Sequence, residues 1–453
     1  MSLSRRILLT ILSGGTAMLA FPPFSYWPLA LLAWPLLFLA IRGAGFRFGA
    51  RLGLLHGLVL YGLTLSWFWN IFQGAAVALW LILALFTGLA CGLSAWASRR
   101  WQDAAWWPVF SAVVWCALEY YRGEWFALRF PWITPGIALG PTWLSPFLGV
   151  YGASMLVALA SACLAAATAR VRLAGALLAA VLAALAVWRP APVRATGEGI
   201  PLLAVQSENF DLTTYLKRTR DSGFRSGIAL WPEYAAPFPI REGPDDLGRV
   251  RALARDRDLT IVFGTQRSLP GGKHANEALT VEAGGITGSH DKNRPVPFLN
   301  DGEPGRTAVP VSTRFGKLGT PICFDCDYTE VVRRMTTGGA EAFVVPSLDA
   351  AHWSRRQHLQ HAELFRHRAL ENGRWFAVCA SSGMTQIIDP HGNRVAQLPL
   401  MEDGQLPATL HLSRQQTFYS RAGWLFPWLV TAVALAWTGS LWWRSRRTPL
   451  TPA

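Results

Sequence analysis

Charge is what this chain has least of. Only 15% of its 453 residues are Asp, Glu, Lys or Arg, while 51% are hydrophobic. A chain so poor in charge is expected to keep part of its length in lipid. Acidic residues are the scarcer kind: 28 Asp and Glu stand against 42 Lys and Arg, for a formal net charge of +14. That excess does not point to nucleic acid. Much of the arginine flanks apolar segments, and no zinc-finger spacing, RNA-binding aromatic motif or basic helix goes with it. Cysteine is sparse, at six residues. Cys91, Cys116 and Cys163 fall inside apolar runs, where cysteine reads as a small buried hydrophobe. Cys323, Cys326 and Cys379 lie in the polar half, at spacings that make neither a disulfide framework nor a convincing metal site. Cys323-Phe324-Asp325-Cys326 is formally a C-x-x-C, but no second pair accompanies it. No G-x-S-x-G elbow and no Walker loop occurs. No metal and no cofactor is expected.

Long apolar runs are what the chain does have. Many of its 22 tryptophans sit at the ends of such runs, as in the aromatic belts of membrane proteins. Arg5 and Arg6 precede an apolar run in the manner of a signal peptide, but further runs follow at once, so the first run reads as a retained span. Eight spans are expected, near 6–21, 26–42, 52–71, 76–97, 105–121, 146–168, 171–188 and 421–443. Each comes close to the ~20 residues that cross ~30 Å of hydrocarbon. The second is short and carries Pro35. Arginine clusters at Arg5–Arg6, Arg42–Arg51, Arg99–Arg100, Arg170–Arg172 and Arg444–Arg447 all fall on one side of such an arrangement, which places both termini in the cytoplasm. The expected division is a transmembrane domain over 1–189, a water-exposed domain over 190–420, and a final membrane helix with a cytoplasmic tail over 421–453. On the outer side the loop from Glu119 to Trp132 is charged and aromatic; it reads equally as an interfacial loop or as a lid. His56 falls inside a span, where it can hydrogen-bond a neighbouring helix.

After a linker at 190–200 the pattern changes to short apolar runs separated by helical stretches. Strands are expected at 202–206, 227–231, 259–264, 278–282, 318–323, 342–346 and 375–380, and helices at 245–257, 327–338 and 356–373. This alternation implies an α/β domain whose sheets are covered by helices. Glu233, Lys292 and Cys323 each end a strand, where α/β folds place functional groups. A free thiol, with a pKa of ~8.5, is mostly protonated at neutral pH and must be activated. A carboxylate can take its proton, and an ammonium can stabilise the thiolate and then an oxyanion. His290, His352, His358, His361 and His367 offer other bases, but nothing ties one of them to Cys323. His358, His361 and Arg368 read as one face of a helix turned to its surroundings.

The stretches Leu230-Trp231-Pro232-Glu233, Asp291-Lys292-Asn293-Arg294 and Pro321-Ile322-Cys323-Phe324-Asp325 resemble the nitrilase, or carbon–nitrogen hydrolase, superfamily. Phe21-Pro22-Pro23-Phe24, Phe130-Pro131-Trp132 and Leu148-Gly149-Val150-Tyr151-Gly152 resemble its membrane branch, the apolipoprotein N-acyltransferases of the bacterial inner membrane. Gln357-His358, Arg368-Ala369-Leu370-Glu371 and Asn372-Gly373-Arg374 are similar as well. The resemblance implies a nitrilase-like αββα sandwich facing the periplasm, attached to the helical membrane bundle. It implies acyl transfer from a phospholipid, through a thioester on Cys323, to the α-amino group of a diacylglyceryl-modified apolipoprotein. Glu233 would be the base and Lys292 the charge stabiliser, in a monomer. Two other classes stay open: a membrane-tethered amidase acting on a small C–N substrate, and a divergent lipid-binding relative.

Three stretches depart from the family pattern. Phe-Gly-Glu after the lysine is replaced by Phe298-Leu299-Asn300-Asp301-Gly302-Glu303, the glutamate two residues after the cysteine by Asp325, and Ser-Asn-Asp-Ala-Trp by Ser347-Leu348-Asp349-Ala350-Ala351. Asn300 stands at the ungapped position and cannot carry a charge. Glu303 is expected to take the missing role, with Gly302 supplying the bend; Asp301 is the other carboxylate within reach.

Overall fold

The computed structural model describes residues 1–100, 106–189, 191–193 and 198–447. It divides into two compact units, Met1–Arg189 with Ala422–Ala453, and Pro190–Arg421. Residue 105 of the fifth expected span, residues 190 and 194–197 of the expected linker, and the tail beyond residue 447 lie outside the described residues.

In the first unit, helices Leu3–Met18, Ala30–Ile41, Phe46–Thr64, Ala75–Arg100, Trp106–Tyr120, Ser145–Leu164, Ala169–Val187 and Phe426–Arg447 occupy the apolar stretches. Among the described residues, four helices are long and apolar enough to cross a membrane: Ala75–Arg100, Ser145–Leu164, Ala169–Val187 and Gly423–Arg444. The others are shorter, such as the 12 residues of Ala30–Ile41, or carry charge, such as Arg47 and Arg51 in Phe46–Thr64. Phe46–Thr64 lies tightly against Ala75–Arg100. Gly49, Gly53 and Gly57 recur every fourth residue, on one helix face. A Cβ added at them would come within 2.3 Å of Ala95 Cβ, 2.5 Å of Cys91 Cβ and 2.7 Å of Ala84 Cα. Between helices in lipid the hydrophobic effect offers little, and close van der Waals contact between small residues takes its place.

Among its described residues the second unit has twelve strands: β1 Ile200–Gln206, β2 Gly227–Leu230, β3 Leu259–Leu269, β4 Lys273–Glu282, β5 Gly285–Asp291, β6 Val311–Thr313, β7 Gly316–Gly319, β8 Ala342–Ser347, β9 Phe376–Ala380, β10 Gln386–Ile388, β11 Arg394–Gln397 and β12 Gly404–Leu410. They form two six-stranded sheets, in the orders β12-β1-β2-β3-β4-β5 and β11-β10-β9-β8-β7-β6. Both have a parallel centre, β1-β2-β3 and β7-β8-β9, flanked by antiparallel strands. Alternate residues of each central strand point to opposite faces. Leu202, Ala204, Ile228 and Leu230 meet Ala342, Val344, Ala377 and Cys379 between the sheets. Leu203, Val205 and Ile261 face the helices Leu212–Asp221 and Pro244–Arg257, while Phe343, Val345 and Val378 face Thr329–Thr337 and Arg355–Asn372. Both faces are covered, so these strands read as unbroken apolar runs rather than alternating ones. The result is a nitrilase-like αββα sandwich.

Two expectations need correction. The strand expected at 318–323 stops at Gly319, because Pro321 has no N–H to give to a ladder, and Cys323 opens a one-turn 3-10 helix, Cys323–Cys326. Strand β12 was not among the expected strands: Gly404 and Pro407 weaken its signal, yet it runs antiparallel along β1 as the edge of its sheet, a position that tolerates proline.

Candidate active site

Glu233, Lys292 and Cys323 each follow the C-terminal end of a strand: β2, β5 and β7. Trp231 anchors the first of these segments; it is buried, and its indole N–H donates to Thr219 at 2.9 Å. The Glu233 backbone passes so close to β3 that a Cβ at Gly264 would lie 2.4 Å from Glu233 Cα, which requires glycine there. Cys323 has φ +45°, in the left-handed region that non-glycine residues seldom occupy. Asp325 holds that turn: its carboxylate accepts from the Ile322 N–H at 3.1 Å and the Arg294 N–H at 2.8 Å, and meets His290 Nε2 at 2.8 Å.

The three residues converge on one buried cluster. Glu233, Lys292 and Cys323 are 1%, 1% and 3% exposed. Lys292 Nζ donates to Glu233 Oε1 at 2.8 Å and to Asp301 Oδ2 at 2.7 Å. Asn276, from β4, uses its amide to bridge the two carboxylates, at 2.6 Å to Glu233 and 2.7 Å to Asp301. Asp301 also accepts from the Tyr234 hydroxyl and the Val296 N–H. Leu348, just after β8, links base and thiol: its N–H donates to Glu233 Oε2 at 2.8 Å, and its carbonyl accepts from Cys323 Sγ at 3.5 Å. The cluster opens into a cavity whose apolar lining includes Val296, Leu299, Leu348 and Trp353.

The electrostatics follow from this packing. Burial pulls the Lys292 ammonium down, but Asp301 and Glu233 outweigh it and hold the group charged, well above the usual lysine range. Burial pushes the Glu233 carboxyl up against the opposing pull of Lys292. Burial, followed by the Glu233 charge, pushes the Cys323 thiol well up, with Lys292 opposing. The resting cluster is therefore a neutral thiol beside a carboxylate of raised basicity and a fixed cation. A proton can pass from sulfur to Glu233 as the sulfur attacks. Lys292 has three N–H donors and spends two on carboxylates, which leaves one for an oxygen that gains negative charge.

Glu303 is not part of this cluster. It is half-exposed and pairs with the exposed Lys273 at 2.7 Å. The carboxylate on Lys292 is Asp301, and the correction has a backbone cause. Gly302, at φ +84°, turns the chain back along β4, where the Glu303 N–H bonds to the His274 carbonyl, so the Glu303 side chain leaves the site. A Cβ at Gly302 would lie 2.9 Å from the Asn276 nitrogen, so the bend also needs the missing side chain.

The histidine face of Arg355–Asn372 is not turned to its surroundings either. His358, His361 and Arg368 are buried, at 0%, 2% and 2% exposed. His361 lies between two aspartates, with Nδ1 2.8 Å from Asp349 and Nε2 3.2 Å from Asp327. Burial alone would lower its pKa; Asp349 and Asp327 override that and hold it at about 10, while Asp349 is held at about 2 against its own burial. Asn276 escaped the sequence reading, and Asp301 stood there only as the alternative to Glu303. A signal for Asn276 was the polar Asn276-Glu277 pair directly before the apolar run that begins at Ala278; no local signal distinguished Asp301 from Glu303.

Residues 13–163 match the family described as Apolipoprotein N-acyltransferase N-terminal domain, and residues 224–419 match Carbon-nitrogen hydrolase. The apolipoprotein N-acyltransferase of Azotobacter vinelandii is 29% identical over 448 residues, covering 86% of each chain. That of Geobacter metallireducens is 26% identical over 504 residues, covering 95% of this chain and 94% of the relative. Among solved structures, Saccharomyces cerevisiae Nit3, a member of branch 10 of the nitrilase superfamily, is similar with a TM-score of 0.40 and 20% identity, over 49% of this chain and 93% of that one. With both domain matches in one chain and nearly its whole length shared with these relatives, the chain is a membrane protein that belongs to the apolipoprotein N-acyltransferase family.

Proposed function

We propose that this enzyme moves a fatty acyl chain from a phospholipid to the α-amino group of the diacylglyceryl-modified N-terminal cysteine of apolipoproteins, with Cys323 as nucleophile, Glu233 as base and Lys292 as charge stabiliser. The observation that carries the reading is the buried Glu233–Lys292–Asp301 network beside Cys323, in a cavity whose apolar walls suit an acyl chain. In the first half-reaction Cys323 Sγ attacks the ester carbonyl while its proton passes to Glu233. Lys292 donates to the resulting oxyanion. Collapse breaks the carbon–oxygen ester bond, and the lysophospholipid oxygen leaves with the proton from Glu233, giving a thioester. In the second half-reaction the acceptor amine attacks that thioester and gives a proton to Glu233. The amide forms, and Cys323 leaves as thiolate and recovers the proton.

The membrane supports this economy. The α/β domain is followed directly in sequence by the helix Phe426–Arg447, so the site is tethered to the bilayer that holds both substrates, which raises their effective concentration. A buried site disfavours water against the amine. On our reading all eight apolar helices span the inner membrane, the termini are cytoplasmic, and residues 190–420 face the periplasm, because the arginine clusters lie on the opposite side.

Intact-protein mass spectrometry after incubation with phospholipid vesicles tests the chemistry. One acyl chain is expected on Cys323, to be discharged by a diacylglyceryl lipopeptide. An adduct that only water discharges would favour a tethered hydrolase, and no adduct would remove the acyltransferase reading. Reporter fusions at the exposed Gly271–Gly272 turn test the topology; activity of a cytoplasmic reporter there would overturn it.

A further inference from the structure

Nothing in the proposed chemistry uses the buried triad Asp327, His361 and Asp349, yet each of its members leads back to the reacting groups. Asp327 directly follows the Cys323–Cys326 turn, and its N–H bonds to the Phe324 carbonyl at 3.2 Å. Asp349 directly follows Leu348, the residue that touches both Glu233 and Cys323. Its backbone N–H donates to Ser381 Oγ at 3.2 Å, and its carboxylate takes the Gln357 amide at 2.9 Å. His361 stands between the two aspartates on a separate element, the helix Arg355–Asn372, with His358 one turn before it. His358 ties the same loop from the side, with Nε2 3.0 Å from the Ala350 carbonyl.

We propose that His361 is a positioning residue: its imidazolium clamps the loop after β8 to the turn that carries Cys323, and so sets the distance between the thiol and Glu233. This rests on the role proposed above for Cys323. Two buried carboxylates facing each other without a cation repel in a medium of low dielectric constant. A cation placed between them holds both. The ring does so with a hydrogen bond between Nδ1 and Asp349 at 2.8 Å and an ionic contact of Nε2 with Asp327 at 3.2 Å. With the cation removed, Leu348 and the Cys323 turn lose their common anchor. The contacts of Leu348 to Glu233 and to the thiol then loosen together. The expected signature is a slower chemical step with unchanged substrate binding, because the triad lines no part of the cavity.

The test uses the full-length protein in phosphatidylethanolamine–phosphatidylglycerol vesicles, with two readouts. One is the rate of thioester formation on Cys323. The other is the rate of Cys323 alkylation by iodoacetamide, which needs no acyl donor. His361→Gln is expected to lower kcat for thioester formation about 10- to 100-fold, as for a misplacement of up to an ångström, with KM changed less than about twofold. Alkylation should slow as well. Asp327→Asn added to His361→Gln removes one of the two repelling charges and should recover about fivefold or more of the loss. An unchanged kcat and alkylation rate in His361→Gln, or no recovery in the double variant, overturns the clamp. Should His361→Gln not fold, Asp327→Asn alone is measured, and unchanged alkylation there overturns it equally. If the parent protein forms no thioester but His361→Gln still slows alkylation, the phospholipid reading fails while the clamp stands.

Discussion

The two units solve opposite problems. In the helical unit the tight contact between Phe46–Thr64 and Ala75–Arg100 is made by what is absent: three glycines without side chains let two backbones approach. In the α/β unit the core between the sheets is ordinary aliphatic packing, and the unusual feature is buried charge, in the Glu233–Lys292–Asp301 and Asp327–His361–Asp349 clusters. Even the buried histidines differ. His56 in the helical unit has no hydrogen-bond partner for either ring nitrogen among the described residues, whereas His361 has a carboxylate on each side. The lesson concerns solvent. Where lipid surrounds the helices, steric fit does much of the specifying, although Glu119, Arg122 and Glu124 are buried in that unit too. Where water drives the core together, enough stabilisation is available to hold ions out of water and aim them.

The largest expected effect breaks the α/β side of this comparison. Cys323→Ala should abolish both thioester and transfer, while Cys326→Ala and Cys379→Ala, whose sulfurs lie in apolar core, keep activity within about threefold by intact-mass assay. Next, Asp301→Asn should slow thioester formation about 100-fold, since it removes one of the two charges that hold Lys292, whereas Glu303→Ala should change it less than about twofold. A large loss in Glu303→Ala would return the role to that residue. On the helical side, Gly53→Leu should lower the thermal stability of the protein in detergent by about 1–3 kcal/mol or prevent assembly, by forcing the helices apart at Cys91. Below its melting temperature, Cys323 alkylation should be unchanged; a change would show that the glycine contacts reach the site.

The smallest effect is a displaced pH profile. Glu233 must be ionised to act as base, and burial raises its pKa, so the acid limb of kcat/KM should lie above the ~4.3 of a free glutamate. A limb at or below that value would assign the base elsewhere. The clamp has its own linkage. The raised pKa of His361, about 10, contributes stability that is complete below its ordinary ~6.5 and is lost as pH rises through 10. The lowered pKa of Asp349, about 2, contributes stability that is complete above its ordinary ~3.9 and is lost as pH falls toward 2. In chemical denaturation His361→Gln should flatten the alkaline side of this profile.

Much of the fold was legible because periodicity is local. The central strands and the helices 245–257 and 356–373 announced themselves by apolar runs and amphipathic spacing, and the structure has them at Pro244–Arg257 and Arg355–Asn372 within a residue or two. The short outer strands were not legible: β6, β10 and β11 have three or four residues each, too few to show a period. The burial of His358, His361 and Arg368 was hidden for a related reason. Polar residues on a helix face read as solvated unless their partners are known, and those partners lie on other elements, at Asp327 and Asp349.

By itself the sequence determined that apolar helices and an α/β domain share one chain, and that Glu233, Lys292 and Cys323 follow strands in that domain, because hydropathy and strand-end chemistry are written in consecutive residues. Only the tertiary structure decided which carboxylate meets Lys292. Asp301 and Glu303 are two residues apart and chemically alike, and the choice between them is made by a left-handed turn at Gly302 and by the β4 backbone it packs against. The same holds for His361: a charged histidine 38 positions after Cys323 gains its meaning only when a helix carries it between two loops that the sequence keeps apart.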